Sequence, residues 1–437
     1  MNDWNIMEKL PPMLTGQELK DALKGDIEYS SEVRNAPIGE RLIWLNNIYN
    51  FYYPNKMGEE IYTKMYLSMV RSLQKKESRL AIEQRNKNAL ALKGINMSGG
   101  FGGISGQDVF SIIGPSGIGK STAIGKAVDL IKGNDVIELE NPYCKIIPTL
   151  SVQCPYDCSA KTLLYDINRK IDAILGTNYY DMQIKARAST NHMIISTAQI
   201  LLNNVAVLII DEVQNLIKHK SGNQLIGLLT EMLNESGISV IMVGTPEVEP
   251  FFNSVDYLAR RTTGLKYDRY KYDDNFANFC KELWQYQYTK EYVELSEVFI
   301  NYLYQHSSGT LAHVVYLFAT AQEIAILNGS EKISLSNLDE AYERMHTLHN
   351  HIQPELDLKK RSPKRKREKS STDIISTEIA DTSNITLAGD MEDIIQDTVD
   401  TADSSFSFEK AGKEARSKKK DMIELIQGKV SVTELAI

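Results

Sequence analysis

Eight consecutive residues, Gly114-Pro115-Ser116-Gly117-Ile118-Gly119-Lys120-Ser121, have the types and spacing needed to hold a polyphosphate. They follow a short apolar run, Val109 to Ile113, and open a helical periodicity at Ala123, Ile124, Ala127, Val128 and Ile131. That context gives the pattern its meaning. Glycines let the backbone curl so that several N–H groups point at phosphate oxygens, and the helix start adds partial positive charge. Lys120 brings a full charge to the outer phosphates, and the Ser121 hydroxyl suits Mg²⁺. Gly114 to Ser121, with Thr122, are the expected ATP contacts.

A second element is Val207-Leu208-Ile209-Ile210-Asp211-Glu212. Two carboxylates ending an apolar strand are costly without a purpose, since unpaired charge resists burial. Beside a phosphate loop, Asp211 is expected to hold Mg²⁺, and Glu212 to orient and polarise the attacking water. A third element, Val243-Gly244-Thr245-Pro246, places Thr245 at another strand tip, where it can sense the γ-phosphate. Thr before Pro is also a common way to start a helix. A fourth, Arg260-Arg261, can project an arginine finger into a neighbouring subunit's site. Solvated helix-terminal arginines are the alternative, and the sequence does not choose between the two residues.

Positioning these groups calls for alternating strands and helices. The apolar runs Val109 to Ile113, Ile146 to Val152, Val205 to Ile210 and Val240 to Val243 alternate with helical patterns such as Leu225, Ile226, Leu228, Leu229, Met232 and Leu233. Strands apolar on both faces predict a parallel sheet covered by helices on both sides, an α/β fold. The expected organisation is a helical region over 1–75, a nucleotide-binding core over 76–272, a helical lid over 273–352 and a tail over 353–437. In the first region Leu42, Ile43, Leu45, Ile48, Tyr49 and Tyr52 recur at helical spacing, for an aromatic core or a docking face for a partner. Ser98 to Gly103 reads as a flexible connector. The last lid helix is expected to start near Ser336, with Asp339 in a capping-box variant.

The tail opens with a basic cluster from Lys359 to Lys369 and continues with a Ser/Thr/Asp-rich composition typical of disorder. Its last stretch, Lys418 to Ile437, carries too little apolar surface to fold alone. The whole chain of 437 residues is 42% hydrophobic, 24% charged and formally −8, ordinary for a globular protein. No apolar run approaches the roughly 18 residues that cross a bilayer, so a cytoplasmic protein without a membrane partner is expected. Cys144, Cys154, Cys158 and Cys280 form no disulfide ladder or paired zinc set and read as reduced thiols.

With these elements in this order, the sequence resembles the TnsC/TniB family of AAA+ transposition regulators. The likeness is carried also by LLTEMLNESGISVIMVGTPEVEPFF, ARRTTG, FCKELWQYQY, QCPYDCSAKTLLYDINRKIDAILGTNYY and the early LPPML. It spans about 109 to 345. It implies an AAA+ P-loop NTPase core with an all-α lid, and an ATPase that assembles on itself as a ring or helical filament around double-stranded DNA. It further implies a bacterial, nucleoid-associated protein linking a target selector, through the N-terminal region, to transposase or nuclease subunits, through the C-terminal tail. Lys161, Lys185 and Arg187, flanking the helix expected over Thr162 to Leu175, are the candidate DNA-phosphate contacts.

One departure stands out. Many AAA+ lids carry a G-x-x-R pattern; here the stretch is Ser308-Gly309-Thr310-Leu311-Ala312-His313, without arginine. His313 is the candidate substitute, and an ordinary surface or packed histidine is the alternative. Two other readings remain: an origin-recognition or clamp-loader-like AAA+ ATPase, and a scaffold that binds nucleotide for assembly and rarely hydrolyses it.

Overall fold

The computed structural model describes residues 6–25, 27–78, 82–83, 109–131, 136–140, 143–218, 225–227, 229, 236, 238–254 and 262–348. The connector at 98–103, Arg260, Arg261, most of the periodic stretch 225–233 and the tail lie outside them.

Six strands form one sheet in the order β2-β3-β4-β5-β1-β6. They are β1 (Val109–Ile113), β2 (Ile137–Glu140), β3 (Tyr143–Gln153), β4 (Val205–Asp211), β5 (Ser239–Gly244) and β6 (Thr262–Lys266). β3, β4, β5, β1 and β6 run parallel, in registers such as Val109 opposite Val240 and Val109 opposite Thr262. The expected parallel sheet carries one antiparallel edge strand, because β2 pairs antiparallel with β3. Neither β2 nor β6 was visible as an apolar run: IELE and TTGLK are edge strands with less to bury.

The central strands are buried along their length. Successive side chains point to opposite faces. Val240 and Met242 join one core with helices α5 (Ala160–Leu175) and α7 (Thr190–Asn204). Ile241 and Val243 join another with α3 (Lys56–Lys76) and α4 (Lys120–Leu130). α3 lies close to the sheet because two small buried residues face it. Ser72 Oγ donates to the Ala206 carbonyl at 2.7 Å, and the Ser68 carbonyl accepts from Ser239 Oγ at 3.0 Å.

The N-terminal region contributes to two cores. Leu19 and Leu23 of α1 (Gly16–Leu23) pack with the sheet core, whereas Leu45 of α2 (Ile38–Leu45) and Ile48 pack into the lid. The helical spacing there breaks at Leu45, where a 3₁₀ turn over Asn46–Asn50 begins; Ile43 within α2 is 74% exposed and Tyr49 within the turn 53%. After two short helices, α8 (Asn215–Lys218) and α9 (Glu249–Ser254), the lid consists of α10 (Asp274–Trp284), α11 (Glu297–Ser307), α12 (Leu311–Leu327) and α13 (Leu335–Leu348). Asp273 caps α10 by accepting from the Asn275 and Phe276 N–H groups. The cap expected at Ser336 and Asp339 sits two residues earlier. Ser334 Oγ accepts from the Asn337 N–H at 3.2 Å while Asn337 Oδ1 accepts from the Ser334 N–H at 3.1 Å, a reciprocal box in which Asn replaces the usual acid.

Candidate functional site

All five parallel strands end at the same edge of the sheet, and β1 sits between β5 and β6. Ligands of open α/β sheets bind beyond the carboxyl ends of the strands, where the strand order reverses. The loop Gly114–Gly119 leaves β1 at this place and delivers Lys120 as the first residue of α4. Gly117 and Gly119 take φ of +80° and +98°, the left-handed region that turns successive N–H groups inward.

Ser116 to Thr122, Asp211, Glu212 and Thr245 line one cavity of about 430 Å³, within the roughly 300–1,000 Å³ usual for small-molecule sites, whereas Gly114 and Pro115 of the expected contacts do not line it. Lys120 Nζ donates to the carbonyls of Gly114 and Pro115 at 2.6 and 2.8 Å, so it is held across the loop. Burial pulls its ammonium below the ordinary lysine value, opposed by the charges of Asp211 and Glu212. Ser121 Oγ donates to Asp211 Oδ2 at 3.3 Å. This hydroxyl and carboxylate are hard oxygen donors suited to Mg²⁺, an ion that keeps waters and phosphate oxygens for its remaining positions. No cluster of three or more His, Cys, Asp or Glu that could cage a metal occurs among the described residues.

Beyond β4 the chain turns abruptly. Glu212 has φ +59°, unusual for a residue with a side chain, and its N–H donates to Asp211 Oδ1 at 2.8 Å. Thr245 Oγ1 is buried without a hydrogen-bond partner among the described residues, while its backbone N–H donates to Gln214 Oε1 at 3.3 Å. An orphaned hydroxyl at the cavity edge is what a γ-phosphate sensor would present.

The remaining wall comes from unexpected places. Tyr49, Phe51, Tyr52, Tyr53 and Asn55 from the N-terminal region, and Phe279, Leu311, Ala312 and Val315 from the lid, line the same cavity. Their aromatic rings offer a stacking surface for a base. Of these, the sequence made Tyr49 and Tyr52 legible only as part of an aromatic core or a partner-docking face. The lid position facing the cavity in place of an arginine is Ala312; His313 does not line it. The buried Gln214, two residues beyond Glu212, was also missed; its one signal was a polar residue in the apolar run that continues after the carboxylates.

Lys161 begins α5, Lys185 ends α6 (Tyr179–Lys185), and Arg187 follows with φ +49°. All three are exposed on the helical insert between β3 and β4, and none of them lines the nucleotide cavity. Arg260 and Arg261 lie outside the described residues.

Residues 104–252 match the family described as AAA domain. The fold is that of an AAA+ phosphate-loop NTPase. The match takes in the phosphate loop, Asp211, Glu212 and Thr245. No curated protein matches the sequence. Among solved structures, the chain is similar to the Aeropyrum pernix ORC1 protein in complex with DNA, at 12% identity over 61% of this chain and 64% of that one, with a TM-score of 0.40. It is also similar to the Aeropyrum pernix ORC2 protein in its ADPNP–ADP complexes (14%; 66% and 71%; 0.38) and to Drosophila ORC bound to DNA (12%; 55% and 55%; 0.37). The chain thus spans just under two thirds of the first of these proteins.

Proposed function

We propose that the protein is an ATPase that assembles on double-stranded DNA and regulates transposition in the manner of the TnsC/TniB family. The observation that carries the ATPase reading is the bond from Ser121 Oγ to Asp211 Oδ2 at the mouth of the Lys120 loop. It brings a phosphate-binding loop and a metal-binding carboxylate to one point, with Glu212 next in the chain. Glu212 accepts a proton from water as the water oxygen attacks the γ-phosphorus and the bond to the bridging oxygen breaks. Bound Mg²⁺ would neutralise the phosphate charge. Lys120 holds the outer phosphates, and Thr245 orients the γ-phosphate end.

The transposition reading rests on the family-like segments quoted above, and on exposed Lys161, Lys185 and Arg187 as contacts to duplex phosphates. The N-terminal region would engage a target selector, and the tail transposase or nuclease subunits. Ala312 on the cavity wall favours a second reading, in which nucleotide is bound for assembly and seldom hydrolysed. Phosphate release measured with and without duplex DNA separates the two. Release that DNA stimulates and Lys120→Ala abolishes supports the ATPase; ATP-dependent assembly on DNA without release supports the scaffold. Electron microscopy with duplex DNA and a non-hydrolysable ATP analogue tests assembly, and a protein that forms no particles on DNA would refute it.

A further inference from the structure

Gln214 is 7% exposed and touches two parts of the nucleotide site at once. Its Nε2 donates to Glu212 Oε2, and its Oε1 accepts from the Thr245 N–H at 3.3 Å. Both contacts fix the orientation of the amide. Flipped, it would set a carbonyl oxygen against a carboxylate and an NH₂ against an N–H, two repulsive pairs. Val213, between Glu212 and Gln214, is anchored to β5, its N–H donating to the Val243 carbonyl at 3.0 Å. Asn215 closes the turn, its N–H donating to the Glu212 carbonyl at 3.0 Å and its Nδ2 to the Cys154 carbonyl at 3.0 Å. The backbone beneath Gln214 is therefore tied to the tips of both β3 and β5. Gly244 leaves room for this side chain, since a Cβ there would stand 3.1 Å from Gln214 Oε1 and 2.7 Å from Val213 Cγ2.

Glu212 itself is exposed, and a free carboxylate at the end of its side chain would sample several rotamers. We propose that Gln214 is a positioning residue. By holding Oε2 of Glu212 it leaves the other carboxylate oxygen to face the attacking water, and through Thr245 it ties that orientation to the strand end that meets the γ-phosphate. This rests on the reading of Glu212 as the water-orienting base. Gln214 makes no contact with substrate; it acts through Glu212 and Thr245.

The test compares Gln214→Ala, Gln214→Glu and Glu212→Gln, singly and combined, in single-turnover ATP hydrolysis, with nucleotide affinity measured on the same full-length protein. Gln214→Glu keeps the length of the side chain and an oxygen facing the Thr245 N–H, but sets a carboxylate against Glu212. It therefore separates positioning of Glu212 from support of the β5 tip. Both Gln214 variants are expected to lose about ten- to a hundredfold in kcat with unchanged ATP affinity, at or below the lower end of the roughly 10²–10⁴-fold that a positioned proton-transfer group contributes, because Glu212 itself remains. Adding Gln214→Ala to Glu212→Gln is expected to cost no further rate, as for residues acting as a unit. Wild-type turnover in the Gln214 variants while Glu212→Gln is impaired overturns the inference and leaves the assignment of Glu212 standing. A Gln214→Glu variant with normal turnover, or a further loss in the combined variant, overturns it as well. Undiminished turnover in Glu212→Gln overturns both.

Discussion

The backbone N–H of Ala312, in the first turn of lid helix α12, donates to the carbonyl of Gly117 in the phosphate loop at 3.0 Å. The lid thereby touches the loop through backbone atoms at the place where many AAA+ lids offer an arginine. Gly117 is indispensable to this contact, because it takes φ +80° and a Cβ would stand 2.8 Å from Thr310 Cγ2 and 3.3 Å from Ala312 Cβ. Gly117→Ala is expected to weaken ATP binding by about 1–3 kcal/mol, the usual cost of a side chain in a strained backbone position. Calorimetric titration with a non-hydrolysable analogue checks it, and an unchanged Kd would count against lid closure over this loop.

Lys120→Ala removes the cation that spans the loop. A charge-assisted hydrogen bond contributes about 1.5–3 kcal/mol, so ATP affinity should fall roughly ten- to a hundredfold. Nucleotide-dependent assembly should disappear with it. Fluorescent-nucleotide titration decides the first point; wild-type affinity would sink the site assignment.

Arg41 is fully buried and forms a fork with Glu331, Nη1 to Oε2 at 2.6 Å and Nη2 to Oε1 at 2.7 Å, pinning α2 to the turn between α12 and α13. The Arg41 hydrogen bonds hold the Glu331 carboxyl below its ordinary range, helped by the Lys290 N–H. A depressed folded-state pKa means the stabilisation is complete above the ordinary carboxylate range and is lost as pH falls through the depressed value. Glu331→Gln should therefore cost stability at neutral pH, about 1–3 kcal/mol, since Arg41 is buried but Glu331 only partly so and Gln keeps one acceptor oxygen. The gap to wild type should close on acidification. Thermal unfolding across acid pH measures it; a gap independent of pH would show that the ion pair is not the source.

Lys161 and Lys185 stand on the insert between β3 and β4. If they neutralise DNA phosphates, Lys161→Ala with Lys185→Ala should lower the slope of log affinity against log salt by about two counterions' worth, close to 0.9 each on duplex DNA. Fluorescence anisotropy over a salt series reads the slope. An unchanged value would exclude these two residues from the interface.

An arginine finger supplied by Arg260 or Arg261 would act on a neighbouring subunit. Mixing an Arg260→Ala, Arg261→Ala protein with Lys120→Ala protein should then restore part of the ATPase activity, since some interfaces pair an intact loop with an intact finger. No recovery at any ratio, with co-assembly demonstrated, would rule out action in trans.

The phosphate loop, the Asp211–Glu212 strand end and Thr245 were legible in the sequence because each is local. A loop of glycines with one lysine, or two carboxylates ending an apolar strand, states its chemistry within a few residues, and burial on both faces makes β1, β4 and β5 predominantly apolar. The edge strands β2 and β6 escaped because an edge buries less and needs no such run. The cap at Ser334 and Asn337 was misplaced by two residues because Ser-x-x-Asn and Ser-x-x-Asp both satisfy the same pattern, and only packing of the turn selects one. What tertiary structure alone decided was the company these residues keep. Tyr49, Phe51 and Tyr53 stand more than sixty residues before Gly117, Ala312 nearly two hundred after it, and nothing in their spacing tells a cavity wall from a helical core. Gln214 likewise joins its near neighbour Glu212 to the distant Thr245 only because the parallel pairing of β4 with β5 brings the two strand tips side by side.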